Sequence, residues 1–572
     1  MIKARVRPEN PNANLKSYYE TYKSFSWSDT QNEFTIREDG YINIAYDAVD
    51  RWADDPATAD RPALIFEKSG TVTSLTYKAL KENSSRLANL LTKYGFKVGD
   101  RLFVYVPPCP EMYFAMIACA RTGVVFSNLY TTLNFEDLLW RVRNAEPRGI
   151  LTHPDLIENL PQESMESVKC VLLTEGPAPG LFSSEAVLES ALQYMPIESP
   201  VRWLPAETPL FLLYTSGSTG PPKGVVHAHQ DMIGYLMTGR WALDLTDQSI
   251  LWVDGDPAWV TGTVYGAFAP WLCNAASVVQ GDPFSASSWY RSLEKHRIAV
   301  WYTTPMTIRR LMEAGADLPG RYDFSNLRHI ATVGEALAPE LFYWVRENLK
   351  HSPHDTWWMT ETGMICIANY PSQVIKPGSM GKPVPGVEAA VLDPKGEPLP
   401  ILTLGELALK PGWPSMMRAI WKDDDRFEAY FRNGWFVTGD MVIKDEDGYY
   451  YHEGRNDDLI KVGQSFIGPY EIEQVLCMHP AVAEAGVISK GAEKGKVICK
   501  AFVKVAKGYT PSARLNHEIK AFVKTNLHSE IPLGEIEFTA ELPKTLSGKL
   551  LRRVLRAREL GLPSGDPTKL QD

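Results

Sequence analysis

Short β-rich apolar runs alternate with amphipathic helical stretches through most of this chain, and that alternation limits the fold more than any other feature. Leu102–Pro107 reads as a strand, Glu111–Thr122 as a helix and Gly123–Asn128 as a strand again. Further on, His329–Val333 reads as a strand running into a helix that begins near Pro339. The pattern predicts an α/β fold of layers with largely parallel sheets. From about Gly386 the texture changes: GVEAAVLD, GELALK and WFVTGDMV are short strands between Gly and Pro turns, predicting a small, distorted β-barrel-like subdomain over about 386–456. A hairpin follows at DEDGYYYHEGR, with its turn on Asp447-Gly448. Beyond Arg455 a compact α+β unit is expected: helix Tyr470–Met478, strands Ala485–Ile488 and Val497–Val505, helix Ser512–Leu527, a last strand and a basic helix Leu550–Leu560. The domain boundary is placed near Asp457, giving an N-terminal domain 1–456 and a smaller, mobile C-terminal domain 457–572, large enough to fold alone.

At 572 residues the chain is too long for one ordinary core. Its 44% apolar and 22% charged residues are the balance of a globular protein. A formal charge of −10 argues against nucleic acid as a main partner. Seven cysteines, at 109, 119, 170, 273, 366, 477 and 499, include no CxxC pair, which reads as reduced thiols rather than a disulfide frame or a zinc site. The N-terminus, MIKARVRPENPNANLKSYYETY, has no apolar h-region, and no apolar run approaches the ~18 residues of a spanning helix. No membrane association is expected, and the predicted location is the cytoplasm.

The most informative stretch follows the apolar strand Leu210–Leu213: Tyr214-Thr215-Ser216-Gly217-Ser218-Thr219-Gly220-Pro221-Pro222-Lys223-Gly224. Its glycines permit turns barred to other residues, its hydroxyls and lysine can donate to phosphate oxygens, and its backbone N–H groups can form an anion nest. It is not a Walker A loop, because no Gly-Lys-Ser/Thr ends it. A flexible polar surface loop is the alternative; the ordered pattern S-G-S-T-G-x-P-K-G favours phosphate.

Four further motifs accompany this loop. They are Gly334-Glu335-Ala336, Asp355-Thr356-Trp357-Trp358-Met359-Thr360-Glu361-Thr362-Gly363, Thr438-Gly439-Asp440 with Gly454-Arg455, and Leu542-Pro543-Lys544-Thr545-Leu546-Ser547-Gly548-Lys549. Together they resemble the adenylate-forming acyl-CoA synthetases, nearly end to end, and most of all the shorter bacterial members that use acetate. The resemblance implies ATP, Mg²⁺ and CoA as cofactor and co-substrates, and activation of acetate to acetyl-AMP followed by transfer to CoA, reversibly. It puts Thr215, Ser216, Ser218, Thr219 and Lys223 at the ATP phosphates, Thr360 on a nucleotide phosphate, and Glu361 on Mg²⁺, which takes hard oxygen ligands. Gly334, Glu335 and Ala336, with Asp355, Thr356, Trp357 and Met359, would surround the adenine, and Asp440 and Arg455 the ribose. Lys549 would be the adenylation lysine, neutralising charge between carboxylate and α-phosphate. A lysine before Leu550-Leu551-Arg552-Arg553 is equally an ordinary basic helix; the preceding P-K-x-x-S-G favours the catalytic role.

The resemblance also implies an acyl pocket of Trp259, Val260, Thr261, Val333 and Trp358, small enough for acetate and closed by Trp358, whose alternative is plain core packing. It implies CoA contacts at Thr261, Gly463 and Lys524, a hinge at Asp457, and regulation of Lys549 by a lysine acyltransferase and deacylase. The chain departs from the family pattern at three places: Ala336 stands where proline is common, Leu546 where arginine is usual, and Phe466 where the phosphate-contacting arginine is expected. His227 and His229 form an HxH with no third ligand and read as structural. Left open are a propionate or other short-chain synthetase, a non-catalytic adenylate-binding regulator, and a peptide-synthetase adenylation module, for which no amino-acid-anchoring Asp is evident. Oligomeric state is not readable from the sequence.

Overall fold

The computed structural model describes residues 5–7, 10, 12–176, 185–215, 221–458, 460–462, 465–491, 497–527, 533–544 and 550–559. Two large sheets make the N-terminal α/β domain. In the nine-stranded sheet, Pro62–Lys68, Ala276–Gln280, Ile250–Val253, Val300–Thr303, His329–Thr332 and Pro353–Trp357 lie side by side in parallel, in that spatial order. Antiparallel strands close its edges, Thr71–Thr76 at one side and Ile367–Ala368 with Lys382–Pro383 at the other. The eight-stranded sheet is parallel from Pro209–Thr215 through Val125–Asn128, Arg101–Tyr105, Gly149–Thr152 and Cys170–Leu173 to Glu185–Val187. Lys223–Ala228 and Ala419–Ile420 extend it antiparallel. Strands such as Val300–Thr303 and Cys170–Leu173 are buried along their whole length, as expected where helices cover both faces.

Helix boundaries follow local chemistry. Proline opens Pro110–Thr122 and Pro339–Asn348 at their first positions, where no N–H is needed. The first of these ends on Gly123, at φ +79° and with Val98 only 3.0 Å from where a Cβ would sit. That cap explains why the following strand begins at Val125 rather than at Gly123.

The β-rich stretch forms a five-stranded antiparallel sheet. Trp435–Lys444 lies between Leu404–Leu409 on one side and both Phe431–Arg432 and Tyr450–Arg455 on the other, and Ala389–Leu392 pairs with Leu404–Leu409. Among the described residues this sheet is open rather than closed into a barrel. The turn at 445–449 carries Gly448 at φ +85° and is closed by Asp445, whose Oδ1 accepts from the N–H groups of Asp447 and Tyr449.

The smaller C-terminal domain has its own core, in which Ile472, Leu476, Val487, Val503, Ile519 and Val523 cluster. Strands Val482–Gly491, Val497–Val505 and Leu533–Phe538 carry helices Pro469–Cys477 and Ala513–Asn526. The terminal basic helix spans Arg552–Glu559, starting later than the sequence suggests. Leu550 is held in an antiparallel bridge with Lys544, and Leu551 N–H donates to the Pro543 carbonyl, so neither is free to enter the helix.

Candidate active site

A cavity of about 510 Å³ opens where the parallel strands end and the C-terminal domain meets them. Thr215, Asn128, Val333-Gly334 and Trp358–Glu361 reach it from the carboxyl ends of four strands, the usual position for a ligand in an α/β sheet. Leu550, Leu551 and Arg552 line it from the C-terminal domain.

At one end, Lys223, Glu361 and Tyr430 form a buried cluster. The Lys223 ammonium pairs with Glu361 and contacts the Tyr430 hydroxyl, which donates to Glu361 Oε1 at 2.8 Å. Burial raises the Glu361 carboxyl, but Lys223 reverses this and holds it below the usual carboxylate range. The segment bearing Glu361 is clamped: the Thr360 carbonyl faces His227 Nε2 at 2.7 Å, and Met417 N–H donates to the Glu361 carbonyl at 3.0 Å. His227 is fixed in turn by Asp231 at 2.6 Å. His229 accepts from Ile44 N–H, and burial lowers its pKa to about 3, so it is a neutral core group. Among the described residues no cluster of His, Cys, Asp and Glu could by itself hold a metal ion.

Trp259, Val260, Thr261, Val333 and Trp358 also line this cavity. Trp358 is 8% exposed, its indole N–H donates to Tyr302 at 3.0 Å, and its ring stands edge-on to Tyr265 with centroids 5.0 Å apart. The hydroxyls of Thr261 and Thr215 are buried and have no hydrogen-bond partner among the described residues, a costly arrangement unless a ligand supplies one. Gly334, at φ +98°, lies against Trp259, whose ring would stand 3.1 Å from an added Cβ.

Most of the remaining candidates surround the cavity rather than line it. Asp355 is buried and committed internally, Oδ1 accepting from Thr332 at 2.7 Å and Oδ2 from Leu337 N–H at 3.2 Å; burial pushes its pKa up to about 7. The Thr356 hydroxyl donates to the Thr332 carbonyl, and Trp357 donates to Asp440 at 2.8 Å. Arg455, which does line the cavity, takes the other Asp440 oxygen at 3.0 Å. Burial raises Glu335, which lies 4.0 Å from Arg309, and the Ala336 carbonyl accepts from Tyr470 at 3.5 Å. Met359 lines the cavity, whereas Lys524 is exposed on the helix Ala513–Asn526, away from it. Ser216, Ser218, Thr219, Gly463 and Lys549 lie outside the described residues, as do the side chains of Asp457 and Phe466. The backbone of Asp457 sits in a single turn, Asn456–Asp458, and Asp458 pairs with Arg552 at 3.2 Å and Arg556 at 2.9 Å.

Tyr430, Asp458, Arg552 and Arg556 escaped the sequence reading. The only signal for Tyr430 was its place eight residues before Thr438-Gly439-Asp440, in a stretch with no motif of its own.

Residues 49–421 match the family described as AMP-binding enzyme, and 471–549 the AMP-binding enzyme C-terminal domain. The chain is 43% identical over 561 residues to an acetyl-coenzyme A synthetase of Bacillus subtilis, with 98% of each covered. It is 34% identical to an acetyl-coenzyme A synthetase of Methanothrix thermoacetophila, over 93% of this chain and 85% of that one. Among solved structures it is similar to the anthranilate CoA ligase AuaEII in complex with anthranoyl-AMP, with a TM-score of 0.84 at 26% identity over 94% and 99% of the two chains. A benzoate CoA ligase from Burkholderia xenovorans gives a TM-score of 0.79 at 26% identity over 90% and 100%.

Proposed function

This chain belongs to the AMP-binding enzyme family, and from that premise we propose that it is an acetate–CoA ligase working through acetyl-AMP. A carboxylate resists a thiol because it would have to expel oxide. Attack of the acetate oxygen on the α-phosphorus of ATP breaks the bond to pyrophosphate and gives acetyl-AMP. The CoA thiolate then adds to the acetyl carbonyl and AMP leaves as the phosphate monoester. Both steps are reversible.

The observation that carries this reading is the shape of one cavity. Its lining brings Lys223, Glu361 and the Thr215 hydroxyl, which has no partner among the described residues, together with the small side chains Val260, Thr261 and Val333 and with Trp358. Such a pocket separates acetate from propionate by about 1–3 kcal/mol, so propionate is a slower substrate. Thr215, Ser216, Ser218, Thr219 and Lys223 are assigned to the ATP phosphates, Thr360 to the nucleotide phosphate, Gly334–Ala336 and 355–359 to the adenine, and Asp440 with Arg455 to the ribose. Asp355, Thr356 and Trp357 serve that site by shaping it from behind. Mg²⁺ fits this donor set: it usually binds through one or two carboxylates plus substrate phosphates, and Glu361 supplies the carboxylate. Bound there, it would neutralise charge on the triphosphate.

Lys549 is assigned the adenylation step, consistent with Leu550 and Leu551 lining the cavity. Its acylation by a lysine acyltransferase would remove the charge, and a deacylase would restore it. Thr261 and, less directly, Gly463 and Lys524 are assigned to CoA, and Asp457 to the pivot between domain positions, which is also where we divide the chain. Seven free cysteines suit a reducing, cytoplasmic setting, and no helix among the described residues is long and apolar enough to cross a membrane.

Acid-dependent ATP–pyrophosphate exchange tests the reading. Acetate should drive the fastest exchange, propionate a slower one and butyrate little. Failure of every acid to drive exchange would leave an adenylate-binding regulator.

A further inference from the structure

Trp358 is held by a chain of hydroxyls whose direction can be worked out. Thr356 Oγ1 donates its one proton to the Thr332 carbonyl at 2.7 Å, so toward Tyr302, also 2.7 Å away, it can only accept. Tyr302 therefore donates to Thr356, and its free lone pair receives the Trp358 indole N–H at 3.0 Å. The relay runs Trp358, Tyr302, Thr356, Thr332 across the ends of three adjacent parallel strands.

A second relay of the same kind lies beside it. Thr238 donates to the Gly234 carbonyl at 2.7 Å, so Tyr265 must donate to Thr238, 2.7 Å away, while Tyr265 accepts from Ile365 N–H at 2.8 Å. Tyr265 stands perpendicular to both the Tyr302 ring, at 5.7 Å, and the Trp358 ring, at 5.0 Å. Both tyrosines are fully buried. In the conformation observed, the only polar atom of the Trp358 side chain is satisfied and its ring is seated edge-on to Tyr265.

We propose that Tyr302 is a positioning residue for acid selection: its hydroxyl locks the Trp358 indole as the rigid end of the acyl pocket. This rests on the proposed assignment of Trp358 to that pocket. A tryptophan free to swing excludes a longer acid only by the cost of moving it, whereas an anchored one excludes it by contact. Aligned relays strengthen each member, so removing one hydroxyl leaves a buried indole N–H unpaired and the ring free to seek another partner.

The test is a double-mutant cycle on the full chain, measuring kcat/KM in ATP–pyrophosphate exchange with acetate, propionate and butyrate. Tyr302→Phe should lower the acetate-to-propionate ratio by about tenfold, within the range one methylene commands, with KM for ATP unchanged. Trp358→Gly should shift the profile toward butyrate, and adding Tyr302→Phe to it should change the ratio no further. A shift with Trp358→Gly but none with Tyr302→Phe overturns the proposal and keeps the pocket assignment. An equal Tyr302→Phe effect in both backgrounds also overturns it, because Tyr302 would then act without Trp358. No shift with Trp358→Gly overturns the pocket assignment and the proposal together. Should Tyr302→Phe fail to fold, Thr356→Val, which removes the next hydroxyl at constant shape, should lower the same ratio; an unchanged ratio there counts against the relay.

Discussion

The Tyr430 hydroxyl donates to Glu361 at 2.8 Å, on the same carboxylate oxygen that takes the Lys223 ammonium. The glutamate's charge is thus balanced from two sides, and its folded pKa lies below the unfolded one. That contribution to stability is present above the unfolded pKa and is lost as pH falls through the folded value. Lys223→Met strands a buried carboxylate, which should cost about 3–5 kcal/mol. In that variant the sign reverses, and stability relative to the parent should fall as pH rises through the carboxylate range. Urea denaturation at several pH values reads this directly. Tyr430→Phe removes the hydroxyl that touches both Glu361 and Lys223 but leaves their ion pair, and exchange activity should drop about tenfold.

Asp355 offers a second pH signature. Burial raises its pKa to about 7 in the folded chain, so its contribution is fully present below the unfolded pKa and lost as pH rises through about 7. The swing is on the order of 4 kcal/mol. Asp355→Asn starts less stable, because its amide meets the Thr332 hydroxyl or the Leu337 N–H, both donors. Its deficit should shrink as pH rises from about 4 to about 7; a deficit that stays flat would mean that Asp355 does not titrate there.

Lys549→Ala should lose acetate-dependent exchange by several orders of magnitude while still converting supplied acetyl-AMP and CoA to acetyl-CoA. Equal loss in both half-reactions would remove the assigned role.

Asp457→Pro should keep acetyl-AMP formation within roughly tenfold and cripple thioester formation, because proline fixes φ near −65° and suits at most one of two domain positions. Both half-reactions measured on one folded protein decide this; equal effects would put the pivot elsewhere.

Acetyl-CoA, AMP, pyrophosphate and Mg²⁺ together should yield ATP. An enzyme that is active forward but makes no ATP under those conditions would not share one adenylate intermediate between the two directions.

The layered α/β core was legible because its signals are local: the helix expected over Glu111–Thr122 runs from Pro110 to Thr122, and only Gly123, read as the start of a strand, turns out to be its cap. The start of the last helix was not, since Leu550 is withheld by an antiparallel bridge to Lys544 that no helix propensity encodes. In the site, ordered motifs exposed Lys223 and Glu361, and the cavity brings them together. Tyr430 stayed hidden because a lone tyrosine earns its place only through two partners distant in sequence. Asp355 was expected to face the adenine; its carboxylate instead serves Thr332 and Leu337, a distinction between touching a ligand and holding the wall behind it.

Val333 and Gly334 are consecutive, and the Trp259 ring that would crowd a side chain at Gly334 immediately precedes Val260 and Thr261. Under the proposed assignment, the shelf for the nucleotide and the box for the acid are opposite sides of one partition a single residue thick. Any change that shifts this partition is felt by both substrates at once. Variants at Gly334 or Trp259 should therefore move the apparent affinity for ATP and the choice of acid together.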